Sequence, residues 1–166
     1  MFVLGIDPGL SRCGYGCVRR EGGRTTAVAI GVLRTPPAAA VPDRLAELQR
    51  EIRGLLVELR PAVVAIEKVF FQANTSTAMS VAAASGVVMA EAVNAGCEVS
   101  LYTPNQVKEA VAGYGAASKE QMQRMVQTLL GLAVPPKPAD AADAVAIALC
   151  HLAVAPFAAA VSGVSP

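Results

Sequence analysis

Residues 2–9 read FVLGIDPG, an apolar run that ends on a carboxylate and then turns. Phe2, Val3, Leu4 and Ile6 have the β-branched and bulky apolar chemistry of a buried central strand. Asp7 is the exception, because an acid in such a run costs several kcal/mol unless something pairs with it. Pro8 and Gly9 stop the strand at that point, so Asp7 is expected at an opening and not in the core. The expectation that follows is a fold that carries further carboxylates to Asp7.

Working outward, AVVAIE at 62–67 repeats the design of GID: a short apolar strand closing on an acid, here Glu67. Between the two lie residues 14–20 and 24–35, which read as two more strands joined by the Glu21-Gly22-Gly23 turn, a meander. Residues 36–42 form a linker. Leu45, Leu48, Ile52, Leu55, Leu56 and Leu59 then recur at helical spacing, with Pro42 near the first turn and Pro61 at the end. That helix is a crossover, so the 62–67 strand should run parallel to a strand of the meander sheet.

Residues 68–74 read as a loop and 75–94 as a helix whose Ala82, Gly86 and Ala90 form a face of small residues. A last strand is predicted over 97–102. Thr103-Pro104-Asn105-Gln106 and Ser118-Lys119-Glu120-Gln121 are capping boxes opening two further helices, with a Gly113-Tyr114-Gly115 break between them. After the stiff 135–138 connector a final helix starts at Asp140 and is expected to end near Ala153, leaving 154–166 as a flexible tail. The fold class is therefore α/β: a five-stranded mixed sheet, antiparallel meander plus parallel strands, with helices on both faces. Residues 1–153 are expected to form one domain.

Composition bounds the function classes. The 166 residues are 54% hydrophobic and 16% charged, which describes a globular chain. The longest apolar stretch, 78–90, is short of the ~18 residues a membrane span needs. The basic flank of a secretory leader is missing at the N-terminus, so a cytoplasmic protein with no membrane partner is expected. Cys13, Cys17, Cys97 and Cys150 form no CxxC pair and read as small buried thiols. Net charge is only +1, but setting aside Asp7, Glu67, Asp140 and Asp143 leaves 14 basic residues against nine acids, a balance compatible with DNA.

Asp140 and Asp143 lie three apart, on one face of the first turn of their helix. Each alone reads equally well as a helix-opening acid. Acids at the ends of two buried strands have no such duty. Four carboxylates converging without a matched basic partner would raise one another's pKa. A hard divalent cation relieves that, and an all-oxygen set suits Mg²⁺, with Mn²⁺ as substitute. Two ions about 4 Å apart would serve phosphodiester hydrolysis. His151, the only histidine, lies about 16 Å further along the helix axis and reads as a packed residue. Neither GxxxxGK[ST] nor GxGxxG is present. Phe70 and Phe71 follow Glu67 closely enough for one of them to stack on bases. Lys68, Lys108, Lys119 and Arg124, grouped with Arg12, are candidates for holding phosphates, against the plain alternative of solvated surface charge.

Three segments carry a family likeness. GIDPG (5–9), AIEKVFF (65–71) and ADAADAVAIALCH (139–151) resemble the motifs of the RuvC family of crossover-junction endodeoxyribonucleases. QVKEAV (106–111) and SKEQMQRMV (118–126) are similar to that family's DNA-contacting helices. The resemblance covers residues 1–153. It implies a ribonuclease H-like fold and a Mg²⁺-dependent homodimer with two ions per active site. Such a dimer resolves four-way Holliday junctions by paired symmetric nicks in recombination and repair, beside a branch-migration complex of RuvA and RuvB type. Asp7, Glu67, Asp140 and Asp143 fall on the family's catalytic acids, Phe70 on its stacking aromatic, and Lys108 and Lys119 on its phosphate-contacting lysines. Some members carry histidine where this chain has Asp140. The helix after the second acid strand is the family's dimer contact; the Gly86 face offers a basis for that, as close packing on its own sheet would for the same residues.

Two other classes remain to be weighed. A non-catalytic junction-binding module on the same fold would bind junctions yet never nick them. An actin- or hexokinase-like ATPase also begins with a strand ending in an acid, but needs two such domains, and 166 residues hold one.

Overall fold

The computed structural model describes residues 1–69 and 75–162. Phe70 and Phe71 lie outside the described residues. Ten elements follow in order: β1 Phe2–Asp7, β2 Arg12–Glu21, β3 Arg24–Arg34, α1 Val41–Leu59, β4 Val63–Glu67, α2 Thr75–Asn94, β5 Glu98–Tyr102, α3 Pro104–Ala112, α4 Lys119–Leu130 and α5 Ala139–Ser162. The sheet runs β3-β2-β1-β4-β5. β2 is antiparallel to both β1 and β3, while β1–β4 and β4–β5 are parallel. The expected mixed architecture is the observed one.

Strand parity divides the core. Leu4, Ile6, Val64 and Ile66 point to one side of the sheet, where they meet Leu48, Ile52 and Leu56 of α1 and Ala84 and Val88 of α2. Val3, Val63 and Ala65 point to the other, against Val107, Val126, Val145 and Ile147 of α3, α4 and α5. Each of these leucine, isoleucine and valine side chains that leaves water completely contributes about 1.5–3 kcal/mol. The same parity sends Asp7 and Glu67 to the α5 side, because each lies two residues beyond a position that already faces it.

Glycine decides how close α5 comes. Gly5 of β1 and Gly14 and Gly16 of β2 lie on that face, where a Cβ would overlap the backbone of Ala144, the backbone of Asp140 and the side chain of Val145. Only hydrogen fits there, so the first turns of α5 lie directly on the two strands. Both capping boxes form: Thr103 and Ser118 accept from the Gln106 and Gln121 amides, whose side chains accept in return.

Two expectations need correction, and one open alternative is narrowed. α5 does not end near Ala153 but runs to Ser162, because the alanine-rich continuation outweighs Pro156. Of the two readings of the small-residue face of α2, packing on its own sheet is the less favoured: among the described residues the buried positions of α2 are Ala84, Ser85, Val88, Glu91 and Ala92, and a Cβ at Gly86 would meet none of them within 4 Å. β2 begins two residues earlier than expected, at Arg12, which matters for the site. The cysteines are free; burial pushes Cys13 and Cys17 up to about 12 and Cys150 to about 11, so these are packing thiols. Among the described residues, no helix is long and apolar enough to cross a membrane.

Candidate active site

The site forms where the C-terminal ends of β1 and β4 meet the start of α5. In the sheet register Asp7 lies opposite Gly14, and it is Gly14 that carries the backbone of Asp140. Asp140 is thereby placed over the strand neighbour of Asp7. One helical turn later Asp143 faces the same opening. Ile6 pairs with Ile66, so Glu67 continues β4 beside Asp7. Asp7, Glu67 and Asp143 line one cleft, and Asp140 lies close enough for its charge to act on Asp7.

Their electrostatics follow from that crowding. Asp7 is pushed up to about 7, first by burial and then by the charges of Glu67, Asp143 and Asp140. Glu67 is raised by burial and by Asp143, and is pulled back by a hydrogen bond with Asp7 and by Lys119 and Lys108. Asp143 is raised by burial, against the pull of Lys119.

The expectation of acids without a matched basic partner is corrected. Arg12 Nε donates to Asp140 Oδ2 at 2.7 Å, and its Nη2 lies 2.6 Å from the same oxygen. Lys119 Nζ lies 3.5 Å from Asp143 Oδ2. The sequence offers Arg12 only as a charge near the other basic residues, with no local signal that it meets Asp140. Arg12 shares strand parity with Gly14, which sends it to the α5 face. As the side chains lie, no three His, Cys, Asp or Glu groups among the described residues are gathered around a common metal position. Arg12 and Lys119 each engage one of the two helix acids. The donor set itself, four carboxylates of which three are raised by crowding and burial, fits a hard divalent cation.

Two cavities flank the acids. One of about 660 Å³ is lined by Asp7, Glu67, Lys68, Val81, Thr103 and Asn105. The other, about 490 Å³, is lined by Asp7, Glu67, Lys108, Lys119, Met122 and Asp143 among others. Asp7, Glu67 and Pro104 belong to both, so the strand acids sit on the divide. Lys68 lines the first cavity and Lys108 and Lys119 the second, each beside the acids. Arg124 is exposed on α4 and is not among the described residues lining either cavity.

A clamp not anticipated from sequence holds the turn after Asp7. Buried Arg44 donates to Thr35 Oγ1 at 3.0 Å and to Ser11 Oγ, and Thr35 Oγ1 donates to the Leu10 carbonyl at 2.6 Å. His151 is packed, as expected. It is buried, with Nδ1 2.8 Å from the Tyr102 hydroxyl, and burial lowers its pKa.

A five-stranded mixed sheet of this order, with acids at the ends of two neighbouring central strands and on the helix across them, defines the ribonuclease H-like class. Within that class the family is shown. The sequence pattern of crossover junction endodeoxyribonuclease RuvC matches residues 3–151. The chain is 50% identical over 152 residues to the crossover junction endodeoxyribonuclease RuvC of Syntrophomonas wolfei, covering 92% of this chain and 88% of that one. It is 47% identical to the RuvC of Moorella thermoacetica, over 95% and 94% of the two chains. Among solved structures, Thermus thermophilus RuvC in complex with Holliday junction substrate superposes with a TM-score of 0.90 at 38% identity, over 95% and 96% of the two chains. The chain belongs to the RuvC family.

Proposed function

We propose that this chain is a structure-selective endonuclease that resolves four-way DNA junctions by metal-dependent phosphodiester hydrolysis, with Asp7, Glu67, Asp140 and Asp143 as catalytic metal ligands. The observation that carries the reading is the carboxyl of Asp7, raised to about 7 by burial and by the other three acids at the divide between two lysine-lined cavities. A relative described in complex with a Holliday junction supports the substrate. No observation favours a module that binds junctions without cutting them.

Two Mg²⁺ ions per site, replaceable by Mn²⁺, would supply Lewis-acid stabilisation of the attacking and leaving oxygens. The chain's own residues do the rest. A strand laid across Asp7 and Glu67 has Lys68 on one side and Lys108 and Lys119 on the other. Those ammonium groups balance phosphate charge and fix one phosphodiester over the acids. A water oxygen bonds to phosphorus there as the bond to one bridging oxygen breaks; the water's proton is lost and the released oxygen takes one up as a hydroxyl, which leaves a nicked DNA strand. Phe70 and Phe71 are assigned base contacts, and Arg124 a phosphate contact, on sequence grounds alone.

Paired nicks need two sites, so the active form is a homodimer. The open surface above Gly86, with Met79 and Val93 exposed on the same helix, supports α2 as the contact. Residues 1–153 constitute the nuclease domain, working in the cytoplasm beside a branch-migration complex of RuvA and RuvB type. The test is a mobile four-way junction incubated with and without Mg²⁺, with nicks mapped on every strand. Symmetric, Mg²⁺-dependent nicks are expected, lost in Asp7→Asn while junction binding survives. Equal cutting of linear duplex, or nicks on one strand only, would refute the reading.

A further inference from the structure

Resting on the metal-centre reading above, we propose that Arg12 is a positioning residue of that centre: its guanidinium occupies Asp140 in the metal-free protein and must release it when a divalent cation enters. Arg12 thereby sets the affinity of the site.

Both ends of the contact are built in. Arg12 is the first residue of β2 and follows the 8–11 turn, which Arg44 holds through Ser11, Thr35 and Leu10. Asp140 is held by its own backbone, seated on Gly14 two residues along the same strand. The two side chains meet across 128 positions of sequence, with Nε and Nη2 converging on the single oxygen Oδ2. A fork spent on one oxygen differs from the parallel two-oxygen pairing that guanidinium and carboxylate favour as a permanent tie. Side-chain exposure of 44% for Arg12 and 32% for Asp140 leaves the pair open to water and to exchange. A divalent cation that takes Asp140 Oδ2 competes with the guanidinium for that same oxygen.

The competition predicts its size. A pair this exposed is worth about 1 kcal/mol or less, which at 1.4 kcal/mol per tenfold is a factor of up to about five in cation affinity.

Mn²⁺ binding to the full chain without DNA, by isothermal titration and by electron paramagnetic resonance of free Mn²⁺, tests this. Arg12→Gln is expected to tighten Mn²⁺ binding three- to fivefold. Arg34→Gln removes a positive charge from the residue paired with Arg12 across the sheet and is expected to leave affinity unchanged. In an Asp140→Asn background, Arg12→Gln is expected to change nothing. Unchanged or weaker binding in Arg12→Gln, an equal gain in Arg34→Gln, or a gain that persists without the Asp140 carboxylate would each overturn the inference. Wild-type protein that binds no Mn²⁺ would overturn the metal centre itself.

Discussion

Gly14 lies directly beneath Asp140: a Cβ on Gly14 would overlap the carbonyl oxygen of Asp140 and come within 2.6 Å of its carbonyl carbon. The obstacle is backbone on a docked helix, which no rotamer change can move aside. Gly14→Ala is expected to lift the first turn of α5 off the sheet, at a cost of about 1–3 kcal/mol. Junction cleavage by the protein that still folds should fall far more steeply, because Asp140 and Asp143 ride on that turn. Chemical denaturation together with single-turnover cleavage checks this; a folded, fully active Gly14→Ala would show that the contact does not position the acids.

Asp7 makes the metal-free protein sensitive to pH. Its folded pKa of about 7 exceeds the ordinary 3.8. Between those values the unfolded chain releases a proton that the folded chain keeps, so stability falls as pH rises from about 4 to about 7 and then levels. Asp7→Asn removes that loss. It is expected to be more stable than wild type at pH 7.5 in EDTA, by an amount of order a few kcal/mol, and little different at pH 4.5. Thermal unfolding over that range is the measurement; parallel pH curves for the two proteins would contradict it.

Tyr102 and His151 form a buried pair outside the acid cleft. Tyr102→Phe leaves His151 Nδ1 without its partner, which should cost about 1–3 kcal/mol in urea denaturation. Cleavage at temperatures where the variant is folded should match wild type. A large loss of cleavage rate with stability intact would give this histidine a role in the reaction.

Gly86 offers a probe of the α2 contact, since an added Cβ meets nothing within 4 Å among the described residues of the protomer. Gly86→Leu is expected to keep the fold, helped by better helix propensity. Light scattering should show it shifted toward monomer relative to wild type, with paired nicking replaced by single nicks. A variant of wild-type mass would place the dimer contact elsewhere.

The strands ending in Asp7 and Glu67, the two capping boxes and the Asp140–Asp143 turn were legible from sequence. Each is specified within a few residues: by alternation, by a Pro-Gly stop, by a side chain reaching its own backbone three residues away. The long α5 was misjudged because Pro156 outweighed its alanines in a local reading. What only the tertiary structure decided is who meets whom. Gly14 and Asp140 are 126 positions apart, and Arg12 and Asp140 are 128 apart. Nothing near any of them signals the contact, which exists because β1–β2 pairing and α5 docking bring distant backbone together. The sequence alone determined that Asp7 needed company; packing decided that the company includes an arginine.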